Sequence, residues 1–186
     1  MLNIGIKETW NDGYDYYCFH DVDKLPQLPY PLYEYSKNVV HLATAIEHHN
    51  FNIGYKKYLG GVLLMNREHI KKTNGFSNRY WGWGCEDDDM YVRIISEKIK
   101  IVRPNHFQKG KYFETNYRYQ WIQKRKPIHK HQMFELNRNK ILLKHSILKY
   151  SKYKIYKNDG LSNLNYSILY KNKSQDYSYF LIKTLI

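Results

Sequence analysis

Cysteine is almost absent from this chain: Cys18 and Cys85 are the only two among 186 residues. Two thiols build no disulfide framework, and without histidines at ligand spacing they build no zinc site. Long apolar runs are missing as well. No stretch reaches the roughly 18 consecutive apolar residues of a membrane-spanning helix, and no cleavable leader pattern is visible, so the chain as written is expected to be soluble. Acids are in deficit, 17 against 30 Lys and Arg, for a net charge of +13. Such a surplus favours anionic partners: nucleic acid, an anionic membrane surface, a nucleotide diphosphate or acidic glycans.

What is present argues for a single domain over residues 1–186. Hydrophobic residues make up 42% and aromatics 17%, which excludes a disordered chain and allows a real core. Leu2, Ile6 and Trp10 fall at helical spacing, and Asn11-Asp12-Gly13 ends that helix. Tyr14 to His20 reads as a short buried strand running into Asp21-Val22-Asp23, followed by a loop with Pro26, Pro29 and Pro31. Tyr58 to Met65 reads as a strand interrupted by Gly60-Gly61, where missing side chains permit close approach of backbone or ligand. Asn66 caps a short helix that stops at Asn74-Gly75. A helix follows the acidic run, with Tyr91, Ile94, Ile95 and Ile99 as its buried stripe, and Lys100 to Val102 returns as a strand. A basic loop and helix occupy about 105–157, with Gln108 to Lys149 as their main part. Leu164, Tyr166, Ile168 and Tyr170 alternate as a half-buried strand, and Tyr177 to Ile182 pairs back as a hairpin. Helices alternating with strands predict an α/β fold.

Two acidic clusters stand out in this basic chain, because neighbouring carboxylates repel unless something compensates them. Asp21-Val22-Asp23 comes at a strand's end, where open α/β sheets place ligands, and alternation across Val22 turns both carboxylates the same way. Hard oxygen donors suit Mg²⁺ or Mn²⁺ together with substrate phosphates; an isolated Asp-x-Asp is otherwise a solvated loop. The stretch Trp81-Gly82-Trp83-Gly84-Cys85-Glu86-Asp87-Asp88-Asp89 is far more specific. Its tryptophans offer flat apolar faces to sugar rings, its glycines let backbone approach a ligand, and one carboxylate in a partly dry cleft can act as general base. The plain alternative is a helix start with acidic caps, but a cap needs one acid, not four.

On these residues the chain resembles the β-1,4-galactosyltransferase family, with features similar to its xylosylprotein galactosyltransferase branch. Matching blocks are Phe19 to Pro26, Tyr55 to Val62, Asn74 to Asp89, and Asp159 to Tyr166. The resemblance implies a GT-A-like nucleotide-sugar transferase fold, a mixed sheet with flanking helices, here without the first Rossmann-like strands. It implies metal-dependent, inverting transfer of galactose or a related hexose from a UDP-sugar to a terminal sugar hydroxyl of a glycan or glycoprotein. Mn²⁺ (or Mg²⁺) would sit on Asp23, with Asp21, Glu114 or Asn116 as further ligands. Asp87 matches the catalytic base. Val22, Asp23, Tyr58, Gly60, Gly61 and Trp83 match the donor side, where a tyrosine at 58 is similar to the galactose-preferring form. Tyr55, Gly84, Cys85, Glu86, Asp87 and Asp88 match the acceptor side.

This sequence departs from the family's pattern in three places. Its first match falls in the middle of the family's catalytic domain. After Gly110, where the family has histidine or a Met/His pair, it has Glu114, Thr115 and Asn116, with His129 and His131 further on. Cys85 stands where glycine or another residue is more usual, and is small enough to keep the turn. His20, His106, His129 and His131 read as ordinary surface or core imidazoles. A truncated relative that binds sugar or a partner is the alternative within the family. A nucleic-acid-binding module through Lys109 to Lys130 leaves the acidic run without a use, and a two-metal phosphodiesterase leaves the tryptophans without one. No specific nucleic acid is expected as partner. Family members usually work in the Golgi lumen; a chain with no anchor also suits a cytoplasmic or viral-factory setting. The sequons at Asn165 and Asn172 carry no weight without a secretion signal.

Overall fold

The computed structural model describes residues 1–26, 33–46, 50, 52–103, 118–121, 130–174 and 178–184. Among these, nine strands and four α-helices form: α1 (Leu2–Thr9), β1 (Tyr16–His20), β2 (Lys24–Pro26), β3 (Val39–His41), β4 (Ala45–Ile46), β5 (Val62–Asn66), α2 (Arg67–Thr73), α3 (Glu86–Ser96), β6 (Ile101–Val102), β7 (Arg118–Trp121), α4 (Lys130–Tyr153), β8 (Tyr166–Lys173) and β9 (Ser178–Thr184). The central sheet runs β1-β5-β3-β6, antiparallel except for the parallel β3–β6 pair. A smaller sheet runs β2-β7-β4, and β8-β9 is a hairpin. The expected α/β mixed sheet with flanking helices is what forms.

Strand β5 carries the core on both faces. Leu63 and Met65 pack with Ile6, Val39, Ile70, Phe76, Met90 and Ile94, while Val62 and Leu64 pack with Leu42, Ala43 and Ile46 on the other side. A strand apolar at every position suits a place inside a sheet covered on both faces. β1 is instead the edge strand, half-buried rather than buried, with Cys18 and His20 in solvent.

Three helices follow expectation with adjustments. α1 ends at Thr9 and runs into a 3-10 turn, Trp10–Asp12, closed by the left-handed Gly13 (φ 84°), yet its inward side is Asn3, Ile4 and Ile6, and Leu2 is exposed. Asn3 explains the shift: its side chain donates to the Phe76 carbonyl (2.6 Å) and accepts from the Phe76 amide (2.8 Å), so a polar residue is satisfied in the core. α2 begins with a reciprocal cap between Asn66 and His69 and ends at Asn74 and Gly75, both left-handed. α3 buries Met90, Arg93 and Ile94, whereas Ile95, expected inside, is exposed. Arg93 holds the inward position because it is fully paired. Its Nε meets Asp89 at 2.7 Å and its Nη2 meets Asp159 at 2.9 Å, while Nη1 donates to the Thr73, Gly75 and Asp159 carbonyls. Tyr150 of α4 donates to the other Asp89 oxygen at 2.7 Å. This knot ties α2, α3, α4 and the residue-159 turn together. The hairpin forms as expected, but Ile168 and Tyr170 lie in solvent rather than half-buried. No helix among the described residues is long and apolar enough to cross a membrane.

Candidate active site

A cleft of about 480 Å³ opens between the Asp21–Lys24 turn, the Tyr55–Gly61 strip and the start of α3. Of the expected site residues, Asp21, Asp23, Tyr55, Tyr58, Gly60, Gly61, Trp83, Gly84, Cys85, Glu86, Asp87 and Asp88 all line it. Val22 does not, and is 97% exposed. The two carboxylates do turn the same way, into the cleft, with Val22 turned out, although β1 ends at His20 and residues 21–23 form a turn rather than a strand. Glu114, Asn116, His106 and His129 lie outside the described residues, as does the side chain of His131.

Asp87 sits in the first turn of α3. One carboxylate oxygen accepts the Asp88 amide at 2.9 Å. The other lies against Gly60, where a Cβ would stand 2.6 Å from it and 2.8 Å from the Tyr58 ring. Gly60 is therefore required by the seat of Asp87, a packing reason for a glycine first read as access for a ligand. Burial, followed by the neighbouring Glu86 and Asp88 charges, pushes the Asp87 carboxyl up to about 7. That is the range in which a carboxylate serves as general base near neutral pH. Asp88 accepts the Tyr55 hydroxyl at 2.8 Å, and Tyr55 and Tyr58 meet edge to face.

Trp81 and Trp83 are 42% and 45% exposed at the rim. Gly82 and Gly84 between and after them are left-handed (φ 72° and 94°). A Cβ on Gly82 would strike the Glu135 carboxylate and one on Gly84 would stand 2.9 Å from Leu136, so these glycines admit helix α4. Asn139 of α4, fully buried, donates its amide to the Trp81, Trp83 and Gly84 carbonyls at 3.0–3.3 Å. Cys85 is itself left-handed at φ 78°, a backbone that favours glycine. The departure at this position thus concerns backbone angle rather than size. Burial raises its thiol to about 11, which makes it no nucleophile.

A second support was not legible beforehand. His41 is fully buried, and burial lowers its pKa to about 4. Arg103 Nε donates to its Nδ1 at 3.3 Å, so its Nε2–H donates to the Gly60 carbonyl at 3.0 Å. Arg103 also donates to the Lys56 and Tyr58 carbonyls. The pair fixes the strip that carries Tyr58 and Gly60. Neither residue belongs to any motif.

At the opposite wall the Lys24 ammonium lies 2.8 Å from Asp23 and 3.8 Å from Asp21, with its stem buried. A cation already sits among these oxygens, so the donor set fits a positive ion. Among the described residues no third His, Cys, Asp or Glu joins them. One or two carboxylates completed by phosphate oxygens are a usual arrangement for Mg²⁺-type ions.

A carboxylate turn at the end of a mixed sheet, facing an acidic helix start under an aromatic rim, is the arrangement of a GT-A-like fold. The comparisons make it particular. The sequence model described as the N-terminal domain of galactosyltransferase matches residues 40–118. The chain is 35% identical over 173 residues to β-1,4-galactosyltransferase 4 of Cricetulus griseus, covering 91% of this chain and 44% of that protein. It is 41% identical over 112 residues to β-1,4-galactosyltransferase 7 of Drosophila melanogaster, covering 59% and 34%. The solved catalytic domain of the Drosophila β-1,4-galactosyltransferase 7, in complex with xylobiose, superposes with a TM-score of 0.69 at 28% identity, over 99% of this chain and 73% of that one. A mutant of the same enzyme, in complex with manganese, UDP-Gal and xylobiose, gives 0.68. The chain belongs to the β-1,4-galactosyltransferase family. It spans less than half the length of these curated relatives.

Proposed function

We propose that this chain carries the acceptor side and the metal turn of an inverting galactosyltransferase, moving galactose from UDP-galactose to a terminal sugar hydroxyl. The observation that carries this reading is the Asp87 carboxylate, half-buried in the cleft with its pKa near 7, beneath Trp83 and across from Asp21 and Asp23. Trp83 offers a ring face for the acceptor sugar, and Asp88 and Glu86 stand ready to accept its neighbouring hydroxyls. Asp87 takes the proton of the attacking hydroxyl. The oxygen then bonds to the anomeric carbon from the side opposite the diphosphate, the old C–O bond breaks, and UDP leaves with its electron pair. Asp23, with Asp21, would hold a Mn²⁺ or Mg²⁺ ion, whose chemistry is to offset charge on the departing diphosphate. The relative solved with manganese, UDP-Gal and xylobiose supports this reading of donor, metal and acceptor class.

The test is transfer of galactose from UDP-galactose to xylosides and N-acetylglucosaminides with Mn²⁺, using this chain and an upstream-extended form. The extended form is expected to be the more active. Transfer by neither form, to any acceptor, would leave a sugar- or partner-binding relative as the better description.

Lys24 sets a further expectation. Its ammonium occupies Asp23, so an incoming ion must displace it. Lys24→Met keeps the buried stem and removes the charge, and is expected to tighten Mn²⁺ binding about tenfold, or ~1.4 kcal/mol, by calorimetry in the presence of UDP. An unchanged affinity would mean that the ammonium does not contest the site.

A further inference from the structure

Helix α4 presents two opposed faces. Leu136, Asn139, Ser146 and Tyr150 are buried against α3 and the Trp81–Gly84 turn. At about 100° of rotation per residue, Phe134, Ile141 and Leu148 fall on the far side, in a row seven residues apart. They are 71%, 60% and 68% exposed. A buried helix normally turns polar groups outward, and here the crest of the outward face is apolar. The row is about 21 Å long at 1.5 Å per residue.

Charge accompanies this row. Lys130, Arg138, Lys144 and Lys152 rise from the same half of the helix. Glu135 is the only acid between Lys130 and Tyr153, and its carboxylate is turned to Gly82. The outward face thus combines three large apolar side chains with flanking cations and no anion.

We propose that this face of α4 docks on an anionic lipid surface, with Phe134, Ile141 and Leu148 entering the headgroup–acyl boundary and the flanking cations meeting lipid phosphates and carboxylates. Long basic side chains can bury their stems and keep their charge at headgroup level. A second copy fits less well, because pairing two such faces sets cation row against cation row. Nucleic acid would use the charge but leave the aliphatic row exposed. The cleft remains accessible in this arrangement, since Leu136 and Lys140, which line it, lie on other sides of the helix.

The experiment is co-flotation of the full chain with phosphatidylcholine vesicles, with and without phosphatidylserine. Binding is expected to require phosphatidylserine and to weaken with added salt. The crest variant Phe134→Ser/Ile141→Ser/Leu148→Ser should bind about 30-fold more weakly or worse, and Arg138→Glu/Lys144→Glu/Lys152→Glu should abolish binding. All six side chains lie in solvent, and an unchanged thermal unfolding curve checks that each variant is folded. Vesicle binding indifferent to the crest variant overturns the proposal, as does absence of binding to either vesicle. A wild-type dimer that the crest variant converts to monomer, without vesicle binding, also overturns it in favour of self-association. Tight oligonucleotide binding that survives the crest variant, again without vesicle binding, overturns it in favour of nucleic acid.

Discussion

Replacing Asp87 by Asn is expected to lower galactose transfer by roughly 10²–10⁴-fold, the usual worth of a positioned general base, while acceptor binding stays nearly intact. The amide fits the same seat beside Gly60 but cannot take the proton. The pH dependence follows from the raised carboxyl. Asp87 is an active base only when ionised, so turnover should climb as pH rises through about 7 and level off above it. Stability moves the other way. Because the folded pKa of about 7 exceeds the ordinary 3.8, the native state holds this proton more tightly than the unfolded chain does. The resulting stabilisation is complete below about 3.8 and lost as pH rises through 7. Above that, the buried charge costs about 2–4 kcal/mol. Asp87→Asn should therefore unfold at higher denaturant than the parent at pH 8 and alike near pH 4. A variant with full turnover would remove Asp87 from its role.

The largest loss of stability is expected from Arg93→Met. It strands the buried Asp89 and Asp159 without their cation, and frees three carbonyls from their donor. Breaking a buried pair from one side costs about 3–5 kcal/mol. Pairing it with Asp89→Asn should return part of that, since Asp159 is then the one carboxylate of the knot left without its cation. Urea unfolding of both variants measures this; a midpoint within error of the parent for Arg93→Met would show that the knot carries little stability. Loss of cleft function is expected to accompany the loss of stability, because the same helix aims Asp87.

How much could be read in advance depended on whether a residue's partner lay nearby in sequence. The Asn66–His69 cap, the Asn74-Gly75 stop and the acidic first turn of α3 are local, and each forms as expected. The twelve residues named for the cleft that line it sit in three short segments, 21–23, 55–61 and 83–88. Val22, placed on the donor side by the family resemblance, is the exception: its side chain points out of the cleft, opposite to those of Asp21 and Asp23. The supports of the site escaped for the opposite reason. Asp89 and Arg93 are four apart on one helix, but Asp159 and Tyr150 reach Arg93 from 66 and 57 residues away along the chain. His41 and Arg103, separated by 62 residues, have no spacing to betray them. Ile95 was placed inside on hydropathy alone, and a fully paired arginine took the inward position.

The Trp81–Gly84 rim also bears on how this chain would respond to random substitution. A survey of tolerated changes would find Gly82, Gly84 and Asn139 as intolerant as the cleft residues, and would be tempted to draw them as sugar contacts. Their intolerance has another origin: two of them make room for a neighbouring helix, and the third grips three carbonyls with one amide. Purifying selection at this rim would therefore record architecture as well as chemistry. Losing the architecture would leave the tryptophans in place but their ring faces unaimed.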